Sequence, residues 1–209
     1  MEPLKLTIYS DYVCPWCYVG QGVVEKLEQN FTLDITWRPY YLRPDTPPEG
    51  MELPPHVKAH MAQTNSKLKQ MADDVGLPMV FPDRLPTTRL AHEATEYANR
   101  KGKGLEFHRA VFDRYYGRGE DISQWNVLMT VASEIGLDGA DMRREVESGK
   151  FSEVVGIHLE EARELGIEAV PTYILNDEYA VVGAHPYEHF VKSLEEIERE
   201  TGVHFQRKQ

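Results

Sequence analysis

Apolar and polar residues alternate over Leu4-Lys5-Leu6-Thr7-Ile8-Tyr9, the period of a strand with one face buried. The period then changes. Val19, Val23, Val24 and Leu27 recur at helical spacing and predict a helix that runs to Phe31. Leu33-Asp34-Ile35-Thr36-Trp37 alternates again and predicts a second strand, parallel to the first because a helix crosses between them. Arg38-Pro39 ends it, and the proline-rich stretch from Tyr40 to Pro55 predicts an extended loop leaving the sheet.

Helical spacing then dominates for more than half of the chain. Val57, Met61, Leu68, Met71, Ala72 and Val75 share one face, closed by Gly76-Leu77-Pro78. After a turn-rich connection from Phe81 to Pro86, Thr87 or Thr88 is placed to cap a helix carrying Leu90, Ala91, Ala94, Tyr97 and Ala98. Further helices are predicted over Leu105–Tyr115, from Ser123 through Ile135, from Asp138 through Val146, and from Ser152 through Leu165. Glycines at 117, 136, 149 and 166 punctuate them. Alternation returns in Thr172-Tyr173-Ile174-Leu175 and Tyr179-Ala180-Val181-Val182, joined at Asn176-Asp177 as in an antiparallel hairpin. Pro186 opens a last amphipathic helix through Tyr187, Phe190, Val191, Leu194 and Ile197.

The order is therefore βαβ, a helical block, then ββα. An α/β fold is predicted in which residues 1–42 and 167–209 form one domain and residues 43–166 form an all-helical insertion between its halves. The unequal helices lack self-similarity, so a repeat solenoid is not expected.

Composition narrows the functional classes. With 209 residues, 41% hydrophobic and 27% charged, the chain has the make-up of a globular protein with a sizeable core. A net charge of −11 speaks against nucleic acid or an anionic membrane as partner. No apolar run reaches the length of a membrane span, and Met1-Glu2-Pro3-Leu4-Lys5 lacks the basic and apolar regions of a secretory signal, so a cytoplasmic location is expected.

The two cysteines are the only ones in the chain, and they stand in Cys14-Pro15-Trp16-Cys17, where the first strand ends and the first helix begins. Pro15 suits the first helical turn, which puts Cys14 at the helix N-terminus, where unpaired N–H groups and the helix dipole favour a thiolate. Cys17, one turn in, is then the shielded thiol able to attack a mixed disulfide formed at Cys14. A zinc site would need two more soft ligands, and a disulfide across so short a loop would stabilise little. The pair reads as redox chemistry, with no metal.

Strand, Asp11-Tyr12-Val13-Cys14-Pro15-Trp16-Cys17-Tyr18-Val19-Gly20 and helix resemble the thioredoxin-fold thiol oxidoreductases of the DsbA family, in particular its FrnE-like branch. Val170-Pro171-Thr172 and Gly183-Ala184-His185-Pro186 resemble that branch's closing segments. The resemblance implies a thioredoxin-like fold, a cis bond at Pro171 facing the cysteines, and a Val170 main chain that pairs with an extended substrate strand. It also implies the activity of a thiol–disulfide oxidoreductase or isomerase, akin to protein disulfide isomerase, acting on protein or peptide thiols and disulfides. No cofactor beyond the redox-active disulfide is implied, with glutathione as an alternative co-substrate. Trp16 is expected to tune the pair, Tyr12 and Tyr18 to line the substrate groove, and Asp11 to cap the active-site turn or relay a proton to Cys17.

A second family shares such an inserted fold. The 2-hydroxychromene-2-carboxylate isomerases and kappa-class glutathione transferases are glutathione-dependent and carry serine at the position of Cys14, so the intact pair favours the oxidoreductase. Where the branch usually has glutamine this chain has His185, and Pro86-Thr87 replaces an asparagine–threonine pair. His185-Pro186-Tyr187-Glu188-His189 has the spacing of a zinc-peptidase motif, but Pro186 keeps the two histidines off one helix face.

Overall fold

The computed structural model describes residues 3–208; Met1, Glu2 and Gln209, which the predicted domain ranges include, lie outside the described residues. Strand β1 (Leu4–Ser10) is followed by helix α1 (Pro15–Asn30) and strand β2 (Leu33–Pro39). At the other end of the chain β5 (Thr172–Leu175), β6 (Tyr179–Val182) and α8 (Tyr187–Thr201) complete the set. The sheet runs β2-β1-β5-β6: β1 and β2 are parallel, and the other two pairings are antiparallel. Asn176 and Asp177 take φ of 50° and 60° at the centre of a turn that the Glu178 N–H closes on the Leu175 carbonyl at 3.1 Å, within a three-residue loop between paired Leu175 and Tyr179. This is the α/β, thioredoxin-like arrangement that the pattern and the resemblance predict, with the helical segment between its halves.

Alternation along β1 sends Leu4, Leu6 and Ile8 into a core shared with Val23, Val24 and Leu27 of α1 and Phe190, Leu194 and Ile197 of α8. Phe205, beyond α8, is fully buried in that core, and the chain after it pairs back at Phe31–Arg207.

Helices α2 (Pro55–Asp74), α3 (Arg89–Arg100), α4 (Gly104–Phe112), α5 (Trp125–Glu134), α6 (Gly139–Glu147) and α7 (Lys150–Glu164) fill the segment between β2 and β5. Asp138 caps α6 by accepting from the Ala140 and Asp141 amides at 2.9 Å, as its position predicts. Ser123 instead hydrogen-bonds Asp121, and α7 begins two residues before Ser152, behind Gly149 in a left-handed conformation.

One feature departs from an all-helical insertion, and one helix changes type along its length. Strands β3 (Met51–Glu52) and β4 (Arg84–Leu85) pair as a short antiparallel ladder, which clamps the proline-rich loop beside Gly50. The helix expected to reach Gly117 as one piece gives way at Asp113 to a π-helical turn that ends at Gly117 and carries Tyr115 and Tyr116.

The core of this segment is continuous with the redox motif. Tyr12, Val13, Cys14, Cys17 and Tyr18 belong to the same apolar cluster as Ala94, Phe107, Phe112, Leu128, Val131 and Met142.

Candidate active site

Cys14 stands in extended conformation as the N-cap of α1, and its sulfur accepts the main-chain N–H of Cys17 at 3.3 Å. Pro15 fills the first helical position, where no N–H is missed. The first turn, Pro15 to Tyr18, holds no carboxylate to oppose a thiolate. The turn before it is closed by the Asp11 carbonyl, which accepts the Cys14 N–H at 3.0 Å. Both cysteines are thiols in this structure, and the Cys14 S–H points to the Val170 carbonyl oxygen at 3.5 Å.

The Val170–Pro171 peptide bond is cis. The Pro171 carbonyl accepts the Gly183 N–H at 2.7 Å, which ties the proline loop to the segment before α8. Gly20 lets this loop and β5 approach α1: a Cβ there would lie 2.1 Å from the Tyr173 hydroxyl and 3.5 Å from Pro171 Cγ.

Burial divides the two thiols less than their sequence positions suggest. Cys14 is 2% exposed, whereas exchange calls for an open sulfur, and Cys17 is fully buried. Half-buried Trp16 and Val170 pack on the cluster that holds both. Burial is the main reason the Cys17 thiol is pushed well above its ordinary range, and the neighbouring Cys14 adds to the effect. The Asp11 main chain and the Ser10 hydroxyl act in the opposite direction, each favouring the Cys17 thiolate. Trp16 also has the Lys67 ammonium 5.7 Å from its ring centre and packs on a small cluster of Val19, Leu68, Met71 and Ala72.

Three expected roles are corrected. Tyr12 does not line a groove: it is fully buried, 2.5 Å from Thr95 Oγ1 and 3.0 Å from His108 Nδ1. Tyr18 is also buried, donates to the Pro78 carbonyl at 2.7 Å and stacks on Tyr116. Each ring is large and apolar with one polar tip, so the core takes the ring and a distant acceptor takes the hydroxyl. Asp11 neither caps the turn with its side chain nor reaches Cys17. Its carboxylate accepts the Leu42 amide at 2.7 Å and lies 3.2 Å from His92 Nε2, so it anchors the loop after β2 and helix α3.

The hydrogen bonds behind Tyr12 fix a tautomer. Thr95 spends its proton on the Ala91 carbonyl at 2.7 Å, so Tyr12 donates to Thr95 and must accept from His108 Nδ1–H. His108 Nε2 is then a bare acceptor; it is buried without a partner, and burial drives its pKa well below the ordinary histidine value. The imidazole stacks on Trp37 with ring centres 4.1 Å apart.

Several residues of the site escaped sequence reading. Tyr116, on the π-helical turn, donates to the Val13 carbonyl at 2.7 Å and so holds the strand of backbone that enters Cys14. Tyr173 and Ser10 lie close to the cysteines as well. Only Ser10 left a signal: a hydroxyl continuing the apolar row Leu4, Leu6, Ile8. His185 precedes α8 and bonds the Val182 carbonyl, so it shares no helix face with His189, although the two rings stack.

Among the described residues no helix is long and apolar enough to cross a membrane. The DSBA-like thioredoxin domain matches residues 5–195. The uncharacterized protein YwbO of Bacillus subtilis is 31% identical over 199 residues, covering 94% of this chain and 98% of that protein. The probable DsbA oxidoreductase SCO1869 of Streptomyces coelicolor superposes with a TM-score of 0.82 at 23% identity, over 99% of this chain and 93% of that one. A 2-hydroxychromene-2-carboxylate isomerase superposes with a TM-score of 0.79 at 19% identity, over 95% and 98% of the two chains.

Proposed function

The chain belongs to the DSBA-like thioredoxin domain family, and on that footing we propose that it exchanges disulfides with protein or peptide substrates through Cys14 and Cys17, as an oxidoreductase or isomerase of the FrnE-like branch. The observation that carries this reading is the position of Cys14 Sγ, between the N-terminus of α1 and the carbonyl of Val170. The helix end presents the Cys17 N–H to the sulfur, and the Val170 main chain offers an edge to an extended substrate.

The steps balance without a further cofactor. The Cys14 thiolate attacks a substrate disulfide, a Cys14–substrate disulfide forms, and the first substrate thiolate leaves. The Cys17 thiolate then attacks Cys14 Sγ, the Cys14–Cys17 disulfide forms, and the second substrate thiolate leaves and takes a proton. The substrate disulfide is reduced to two thiols and the enzyme dithiol is oxidised; run backwards, the same steps oxidise a substrate. Glutathione, a small thiol peptide, is the co-substrate that recycles the pair, and the reading needs neither metal, nucleic acid nor membrane. A cytoplasmic setting accords with a chain whose only cysteines are the reacting pair.

The test is oxidation of the purified protein by glutathione disulfide followed by insulin reduction. Formation of one Cys14–Cys17 disulfide per chain and catalytic turnover of insulin are expected. Glutathione-dependent isomerisation or conjugation, with the pair idle, would instead select the function of the second family.

A further inference from the structure

We propose that the Ser10 hydroxyl is the hydrogen-bond donor that holds the Cys17 sulfur as a thiolate while it resolves the mixed disulfide on Cys14. The inference deepens the exchange reading above and rests on it. Ser10 ends β1, and strand alternation places it in the same row as Leu4, Leu6 and Ile8, each fully buried beneath α1. The fourth place in an apolar row is filled here by a hydroxyl that is itself only 1% exposed.

That hydroxyl has no hydrogen-bond partner in the dithiol form, which is a penalty for any buried polar group. β1 ends at Ser10 and α1 begins at Pro15, so the row that packs with Val23, Val24 and Leu27 reaches, at Ser10, the N-terminal end of α1, where Cys17 is fully buried. The Ser10 hydroxyl accordingly favours the Cys17 thiolate. A thiol is a weak acceptor, so little is gained while Cys17 keeps its proton. A thiolate is a strong acceptor, and a charge-assisted bond from Ser10 forms only when Cys17 is ionised. The idle hydroxyl of the resting state is thus matched to a state that exists during the resolving step.

Two other polar groups near the pair are committed elsewhere. The Asp11 carboxylate is turned away to Leu42 and His92. Tyr116 donates its hydroxyl to the Val13 carbonyl. Cys17 itself is fully buried, so water is a poor substitute as donor.

The experiment follows the two thiolates released when the reduced protein attacks a symmetrical aromatic disulfide whose thiolate is coloured. The first release reports attack by Cys14, and the second reports resolution by Cys17. Ser10→Ala is expected to leave the first phase and the dithiol form's denaturation midpoint near wild type. The second phase should slow by about 10- to 100-fold, the scale of one charge-assisted hydrogen bond, and its pH profile should move upward. Ser10→Thr keeps the hydroxyl and should restore the pH profile, which a merely structural role would not do.

A Ser10→Ala protein that resolves at the wild-type rate with the wild-type pH profile overturns the inference. So does a Ser10→Thr protein that is folded yet titrates like Ser10→Ala. Failure of the wild-type protein to form the Cys14–Cys17 disulfide at all would remove the exchange reading beneath it, and that result is seen without any Ser10 variant.

Discussion

Cys14 and Val170, 156 residues apart in the chain, meet through a hydrogen bond from the thiol to the carbonyl oxygen at 3.5 Å. The same sulfur accepts from the Cys17 amide, so it is held between a helix end and the proline loop. Cys17 is fully buried, and among the described residues no hydrogen bond links its thiol to that loop.

This asymmetry assigns roles within the pair. Cys14→Ser should abolish exchange. Cys17→Ser should accumulate mixed disulfides through Cys14, visible by mass spectrometry under non-reducing conditions. Covalent complexes recovered from Cys14→Ser but not from Cys17→Ser would reverse the assignment.

Asp11 is an anchor and not a relay, and the two roles respond differently to removal of the carboxylate. Asp11→Ala removes the acceptor of the Leu42 amide and strands the buried His92 N–H, the latter at about 1–3 kcal/mol. A lower denaturant midpoint is expected, with the pH profile of thiol exchange unmoved. A shifted profile at unchanged stability would restore the relay.

His108 makes stability depend on pH in a defined window. Its folded pKa lies well below its unfolded value of about 6.5, because burial disfavours the charged ring. Below about pH 6.5 the unfolded chain binds a proton that the folded one does not. Stability is therefore complete above that pH and falls, as pH drops, by up to about 1.4 kcal/mol per unit until the folded pKa is reached. His108→Asn, which can still donate to Tyr12, should start less stable through loss of the stack on Trp37. It should also lack the His108 part of this slope just below about pH 6.5, before most carboxylates titrate. Equal slopes in urea titrations of the two proteins would count against the buried neutral ring.

Gly20 is set by space and not by backbone angle. A methyl group there would run into the Tyr173 hydroxyl, the tip of a rigid side chain that is 1% exposed. Gly20→Ala should cost about 1–3 kcal/mol by overpacking, and Gly20→Ala combined with Tyr173→Phe should recover part of it. No recovery in the double variant would mean that the crowding lies elsewhere.

What the sequence disclosed about this site was the part that is local. Cys14, Pro15 and Cys17 lie within one helical turn, and the hairpin turn at Asn176-Asp177 depends on two adjacent residues. The roles of Tyr12, Tyr18 and Asp11 depend on Thr95, His108, Pro78, Leu42 and His92, which lie far along the chain. Periodicity carries no record of those partners. The β3–β4 ladder was also unreadable, because two residues are too few to establish an alternation. Tyr116 is no part of the apolar face that the spacing predicts, and only the fold brings its hydroxyl, on the π-helical turn, to the Val13 carbonyl.

The apolar cluster that encloses both sulfurs draws most of its members from helices encoded after residue 90. The thiols consequently have no private scaffold. A drifting side chain on α4 or α5 perturbs the medium around Cys14 and Cys17 without touching either, so the insertion is a dial on their chemistry that selection can turn while leaving the Cys-Pro-Trp-Cys letters alone. Two descendants of this chain with identical motifs can therefore differ in redox behaviour, and grafting the motif onto a shorter thioredoxin frame would transplant the reagents without their solvent.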